Sequence, residues 1–442
     1  MRARLIGTLI SVAMAIALVA GECAGAEHFA LATAANKLFL LRAEGYWTGT
    51  SAGPLQVDLG GTGISMLGGV ATYGEWVYLL DSATNRFYAG KLVSSGPLSY
   101  RFAAVDFDPD PDKVRKYVEL KNAANEYVSL PKRLAVDDQG DVYVVGGNYV
   151  NNGTTYNNFA YVSGASSDWT THAITISNLG NAPMMDIAAC GSGINSTAVI
   201  SSLLNGQGLA THWTKTQQAA VSTNPAKLTD SYNPGAVAVT TGIGSAPLAY
   251  VLSTRSSADD TDMFGTLDVI NLVTGTTKAH YVLPDHLSPQ DITVVQSGTD
   301  FYLAIIGTPQ NYVEDGDGNL IPDPALQPAQ AWKVKLSPDG LPDLPSRDEF
   351  TWNPSDHSLG QMIVASGDGQ VVWTAHPGLG EVKAWTFNTW GNHSSSTFSG
   401  TVGEAVTSIA AFIGIPVVPE PSSMVALAVF AVGAAAMFRR KR

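Results

Sequence analysis

Recurrence is the feature that most constrains this chain. A short apolar strand, a turn containing Gly, Asn or Asp, and a second apolar strand rich in Val, Tyr, Leu and Phe appear seven times. The copies read FALATAANKLFLL from Phe29, GGVATYGEWVYLL from Gly68, KRLAVDDQGDVYVV from Lys132 and MDIAACGSGINSTAVI from Met185. They continue as GAVAVTTGIGSAPLAYVL from Gly235, QDITVVQSGTDFYLAII from Gln290 and GQMIVASGDGQVVWTA from Gly360. Several run on into a third strand with alternating apolar and polar residues, as in NRFYAGKL from Asn85, GTLDVINLVTG from Gly265, AWKVKLS from Ala331 and EVKAWTF from Glu381. Alternation with a period of two belongs to half-buried antiparallel strands, not helices. Pro111 to Tyr127 shows only a weak helical face, and it reads as a loop with one helical turn.

Seven units of three or four strands suit an all-β, closed β-propeller of about seven blades. The first strands begin near residues 29, 69, 133, 186, 236, 291 and 362, a loose period that leaves room for loop insertions. A ring must close, and Val406 to Phe412 supplies a strand that joins the end of the chain to the N-terminal blade. The copies from Lys132 and Gly360 resemble the blades of bacterial NHL-type propellers, in which an apolar strand precedes a glycine turn and a Val-Tyr-Val strand. The alternative architecture, a pair of β-sandwich domains, explains strands and turns but not the repeated unit.

The two ends read as address labels. Arg2 and Arg4 precede an apolar run from Leu5 to Ala20 and an A-x-A site at Ala24 and Ala26, the pattern of a cleaved signal peptide over residues 1–26. The ectodomain then covers residues 27–412, and a linker over 413–421 contains Pro419, Glu420 and Pro421. Residues 422–438 form an apolar stretch, about 25 Å as a helix, which is just long enough to span a bilayer. The basic tail over 439–442 (Arg439, Arg440, Lys441, Arg442) holds that end in the cytoplasm by the positive-inside rule. Together these parts resemble the PEP-CTERM sorting tail. The resemblance implies recognition by an exosortase-type membrane protease, anchoring through the C-terminal helix before processing, and then display at the cell surface or in an extracellular matrix of exopolysaccharide or biofilm.

The formal net charge is −13, from 25 Lys and Arg against 38 Asp and Glu, and six of the basic residues sit at the two extremes. With no basic stripe to neutralise phosphates, nucleic acid is excluded as a partner. Only Cys190 remains once Cys23 leaves with the signal peptide, so no intramolecular disulfide forms. In the Ala-Ala-Cys-Gly context Cys190 reads as a small buried hydrophobe. The eight histidines form no H-E-x-x-H or H-x-H pattern, and no nucleophile elbow or phosphate-binding loop is present. Asp285-His286 and Asp356-His357 are adjacent pairs on loops, where a carboxylate can orient an imidazole.

The sharpest local motif runs from Asp315 to Asp323, with Asp315, Asp317, Asn319 and Asp323 as candidate calcium ligands on a Gly-containing loop. It resembles the calcium repeats of thrombospondin-type-3-like bacterial surface proteins, but Leu320 stands where that pattern has Gly. Any calcium would stiffen the loop. Tyr46, Trp47, Trp169, Trp213, Trp352 and Trp390 lie near polar loops, where they could serve as sugar-stacking faces or as blade-packing residues. The expectation is a non-enzymatic propeller that binds or scaffolds polysaccharide or a surface protein, with no catalytic residue assigned. The alternative is an extracellular propeller hydrolase or lyase acting on sugars or lactones.

Overall fold

The computed structural model describes residues 27–414 except 44–52, 165–168, 180–183, 192–195, 216–225, 229–232, 256–263, 315–319, 323–328, 352–361, 377–379, 390–395 and scattered single residues and pairs, among them 285–286. Six four-stranded antiparallel sheets and one that gains a fifth short strand make a seven-bladed propeller. Six blades run outward in chain order from innermost strands at Leu67–Tyr73 (blade 2), Pro131–Val136 (blade 3), Met184–Cys190 (blade 4), Asn233–Thr240 (blade 5), Leu287–Ser297 (blade 6) and Met362–Ala365 (blade 7). These are the first strands of six sequence copies. The alternating segments at Asn85, Gly265, Ala331 and Glu381 are third strands, in Arg86–Gly96, Phe264–Asn271, Gln330–Lys335 and Glu381–Thr386.

Blade 1 closes the ring. Its innermost strand is Ser408–Ile413, from the end of the chain, followed outward by His28–Ala34, Lys37–Arg42 and Leu55–Val57. Leu31 pairs with Ala410 and Phe29 with Phe412. The two ends of the described chain meet where the Gly414 N–H donates to the Glu27 carbonyl at 2.8 Å. The expected closing strand therefore forms, entering the sheet of blade 1. Two sandwich domains are ruled out by this single continuous ring.

The core is a ring of seven apolar layers, one in each seam between adjacent blades. Successive side chains of a strand point to opposite faces, so Phe29 and Leu31 pack toward Leu67 and Val70 of blade 2. Ala30, Ala32 and Ala34 pack toward Met362 and Trp373 of blade 7. Burial on both faces is why second strands such as Trp76–Asp81, Val142–Gly146 and Val371–His376 read as largely continuous apolar runs rather than alternating ones. Large aromatic side chains fill the outer, wider part of the seams. Trp213 of blade 4 lies 4.9 Å from the Tyr161 ring and 5.4 Å from the Phe159 ring of blade 3. Trp169 packs on Tyr78 and Phe87 of blade 2.

One local expectation fails. Among the described residues between Pro111 and Tyr127 there is no helical turn; Val118–Glu119 instead pairs with Arg86 and Phe87 on the edge of blade 2. Val118 and Leu120 are buried against that blade, so packing overrides the weak helical face. Among the described residues no helix is long and apolar enough to cross a membrane. The signal-peptide and C-terminal-helix segments, with Ala24, Ala26, Pro419, Glu420, Pro421, Arg439 and Arg440, lie outside the described residues.

Candidate functional site

Five innermost strands share a defect at their first residues. The pairing register slips at Gly68, Lys132, Met185, the Gly235-Ala236 pair and Gln290. Each is a β-bulge, which bends a strand and re-aims its side chains, and such bulges concentrate beside functional sites. Pro131, Pro234 and Pro289 stand at or just before three of them, positions where a missing N–H costs no ladder bond. The bulges of blades 3 to 6 surround a cavity of about 190 Å3 at the mouth of the central channel. Arg133 enters it from blade 3, Met185 and Asp186 from blade 4, and Gln290 and Asp291 from blade 6. Blade 5 contributes only Gly235 and Ala236, and that lack of bulk opens the space.

Asp186 and Asp291 occupy the same position in their blades, and each clasps the next blade. Asp186 Oδ2 accepts the Val237 N–H at 3.0 Å. Asp291 accepts the Ile363 N–H at 2.7 Å on Oδ2 and its neighbour Ile292 at 2.8 Å on Oδ1. Ser408 fills the equivalent place in blade 1, where its Oγ accepts the Val70 N–H at 3.2 Å. Burial pushes both carboxyls above the ordinary carboxylate range, and Asp186 adds repulsion at Asp291, which reaches about 7. The backbone N–H groups and Arg133 act in the opposite direction. The Arg133 guanidinium makes no ion pair or hydrogen bond with the described residues, so its donors are open to a ligand.

The residues singled out in the sequence fall elsewhere. The calcium candidates Asp315, Asp317, Asn319 and Asp323 lie outside the described residues, flanked by a two-stranded hairpin of Tyr312–Glu314 and Leu320–Pro322 inserted in blade 6. Among the described residues no group of three His, Cys, Asp or Glu could hold a metal ion. Asp285-His286, Asp356-His357, Tyr46, Trp47, Trp352 and Trp390 also lie outside the described residues. Trp169 and Trp213 are fully buried packing residues. Cys190 is buried between blades 4 and 5, and burial with the nearby Asp138 and Asp137 pushes its thiol up to about 12, which disfavours a thiolate.

Of the remaining histidines, His28 Nε2 meets Asp368 Oδ2 at 2.8 Å, and His280 Nδ1 meets the buried Asp268 at 3.2 Å. Neither lines the channel mouth. Arg133, Asp186 and Asp291 carried one signal in the sequence: a charged residue at the same place in three copies of an otherwise apolar strand.

Residues 417–442 match the PEP-CTERM protein-sorting motif. No curated protein matches the chain. Among solved structures, the Pseudomonas aeruginosa periplasmic gluconolactonase is similar at 11% identity and a TM-score of 0.50, over 88% of this chain and 100% of that one. A putative 6-phosphogluconolactonase from Bacteroides uniformis is similar at 10% identity and a TM-score of 0.49, over 87% and 99%. Hydrazine synthase from Kuenenia stuttgartiensis is similar at 12% identity and a TM-score of 0.48, over 83% and 93%. At such identity the likeness to the gluconolactonase is one of fold. The chain is a seven-bladed β-propeller that carries a PEP-CTERM protein-sorting motif at its C-terminus.

Proposed function

We propose that the chain is an exported binding propeller, processed at its tail by an exosortase-type membrane protease and displayed at the cell surface or in the extracellular matrix. There the channel mouth takes a polar ligand, a polysaccharide or a surface protein. The observation that carries the binding role is the convergence of Arg133, Asp186, Gln290 and Asp291 on one cavity, with the guanidinium uncommitted. A few convergent polar groups in a concave site are the usual form of a ligand pocket.

Two carboxyls of raised pKa in one cavity also favour a second reading, a lactone or glycoside hydrolase, because such a pair can divide acid and base roles. Against it, both Asp291 oxygens and one Asp186 oxygen already accept backbone N–H groups that hold the ring together. Among the described residues no histidine lines the cavity.

Fractionation of cells expressing the tagged chain tests the export half. The reading expects a shortened form in the envelope or medium, and full-length protein confined to the cytosol would defeat it. Incubating the purified chain with extracted matrix polymer and with a gluconolactone tests the other half. Retention of polymer without lactone opening supports the binder. Lactone opening that disappears in Asp291→Asn transfers the site to the hydrolase reading.

A further inference from the structure

A second cavity, of about 390 Å3, lies between blades 2 and 3 on the same face as the channel mouth. Asn85, Tyr127, Ser129 and Leu130 line it. Leu130 directly precedes Pro131–Val136, the innermost strand of blade 3, and three residues later the same strand delivers Arg133 to the channel mouth. At about 3.3 Å per residue Leu130 and Arg133, one from each cavity, stand at most about 10 Å apart along the backbone.

Leu130 is costly to keep in this form. It adopts φ +44°, a left-handed conformation unfavourable by roughly 1–2 kcal/mol for an L-residue, and the following proline disfavours it further. Its side chain is 60% exposed, so it adds little to the core. Strain that folding does not require collects at binding sites. Beside it, the Asn85 amide and the Ser129 hydroxyl have no hydrogen-bond partner among the described residues. Tyr127 is half-buried and held by Lys121, whose Nζ lies 5.6 Å from the ring centroid and 2.5 Å from Glu119.

We propose that these two cavities are subsites of one groove for a linear polysaccharide bearing carboxylates. Sugar rings pack on Tyr127 and Leu130 with their hydroxyls on Asn85 and Ser129, and a carboxylate is gripped by Arg133 at the channel mouth. The proposal rests on the binding reading above and names its ligand class. A planar guanidinium with free donors matches a carboxylate bidentately. An apolar ring edge flanked by amide and hydroxyl groups matches a sugar, whose C–H faces are apolar and whose rim is polar. An acidic peptide fits less well, because strand addition needs an open sheet edge and the innermost strands are enclosed in the ring. Asp186 and Asp291 face the incoming carboxylate, with Arg133 and the adjacent Lys132 as the cations of the mouth, so binding should draw a proton onto the aspartate pair.

The test titrates the full chain with a polyuronate, a neutral glucan and poly-glutamate. The expected result is binding of the polyuronate alone, weakened at least tenfold in Arg133→Gln and several-fold in Tyr127→Ala, with unfolding curves unchanged in both variants. Affinity should rise as pH falls from 8 to 6, by at most tenfold per unit above about 7 and less below it, and Asp291→Asn should flatten that rise. Polyuronate binding indifferent to both Arg133→Gln and Tyr127→Ala overturns the proposal. So does equal binding of poly-glutamate. A neutral glucan bound at the mouth overturns the acidic ligand but leaves the binding reading standing, whereas retention of no polymer, including extracted matrix, removes both.

Discussion

Thr33 and Thr407, 374 residues apart in the chain, share a 2.8 Å hydrogen bond between their hydroxyls. Thr407 Oγ1 also lies 3.0 Å from the Leu67 carbonyl of blade 2, so one hydroxyl ties both ends of the chain to the next blade. The Lys37 and Glu404 side chains form an ion pair beside it. Closure therefore depends on the last strand seating against His28–Ala34.

Ending the chain before Thr407 removes Ser408–Ile413 and leaves the inner edge of blade 1 unpaired. The expected outcome is loss of the single cooperative unfolding transition, with association through the exposed edge. Calorimetry and size-exclusion chromatography read both effects. A truncated chain that stays monomeric and unfolds at the same temperature would refute this account of closure.

The outer seams make a second prediction. Trp213 is fully buried and packs against Tyr143, Phe159 and Tyr161 of the neighbouring blade. Trp213→Ala should lower stability by about 3–5 kcal/mol in denaturant titration, the usual range for truncating a buried aromatic. Trp213→Phe should recover more than half of that loss. Equal losses in both variants would mean that the ring contacts contribute little.

These two elements mark what the sequence made legible. A blade strand buried on both faces is largely apolar, so the second strands at Trp76–Asp81, Val142–Gly146 and Val371–His376 announce themselves, and the shorter apolar run before each turn locates the innermost strand. The site is harder to see because it consists of exceptions within those copies. Arg133, Asp186 and Asp291 take a place that Gly69 and Ala236 fill in other blades, and only the ring shows that three distant copies share one cavity. Tyr127 and Leu130 have no motif at all; what marks them is a backbone angle and an exposure, neither of which a residue pattern encodes. The conspicuous Asp-His pairs and the Asp315–Asp323 run stand between the repeated copies in the sequence, not within them.

That Asp315–Asp323 run remains a proposal for calcium. If it binds the ion, calcium should raise the unfolding midpoint relative to chelator, by an amount equivalent to about 2.7 kcal/mol at a hundredfold excess over the dissociation constant. Asp317→Ala should abolish the difference. Identical midpoints with calcium and with chelator would leave the run as a solvated acidic loop.

The aspartate pair makes the channel mouth sensitive to pH, and the sign follows from the direction of its shift. The Asp291 carboxyl is raised to about 7 by burial and by Asp186, while an unfolded chain releases that proton near pH 4. Between those values the folded protein holds a proton that the unfolded chain has lost. The stabilisation is therefore complete below about pH 4, declines as pH rises toward 7, and is gone above it, with a slope of at most about 1.4 kcal/mol per pH unit for one group. Asp186→Asn removes the like charge, so the decline should finish at a lower pH while Asp291 keeps its bonds to Ile292 and Ile363. Denaturation midpoints measured from pH 4 to 8 on both proteins test this. Superimposable curves would mean that the two carboxyls titrate independently and that the mouth does not concentrate their charge.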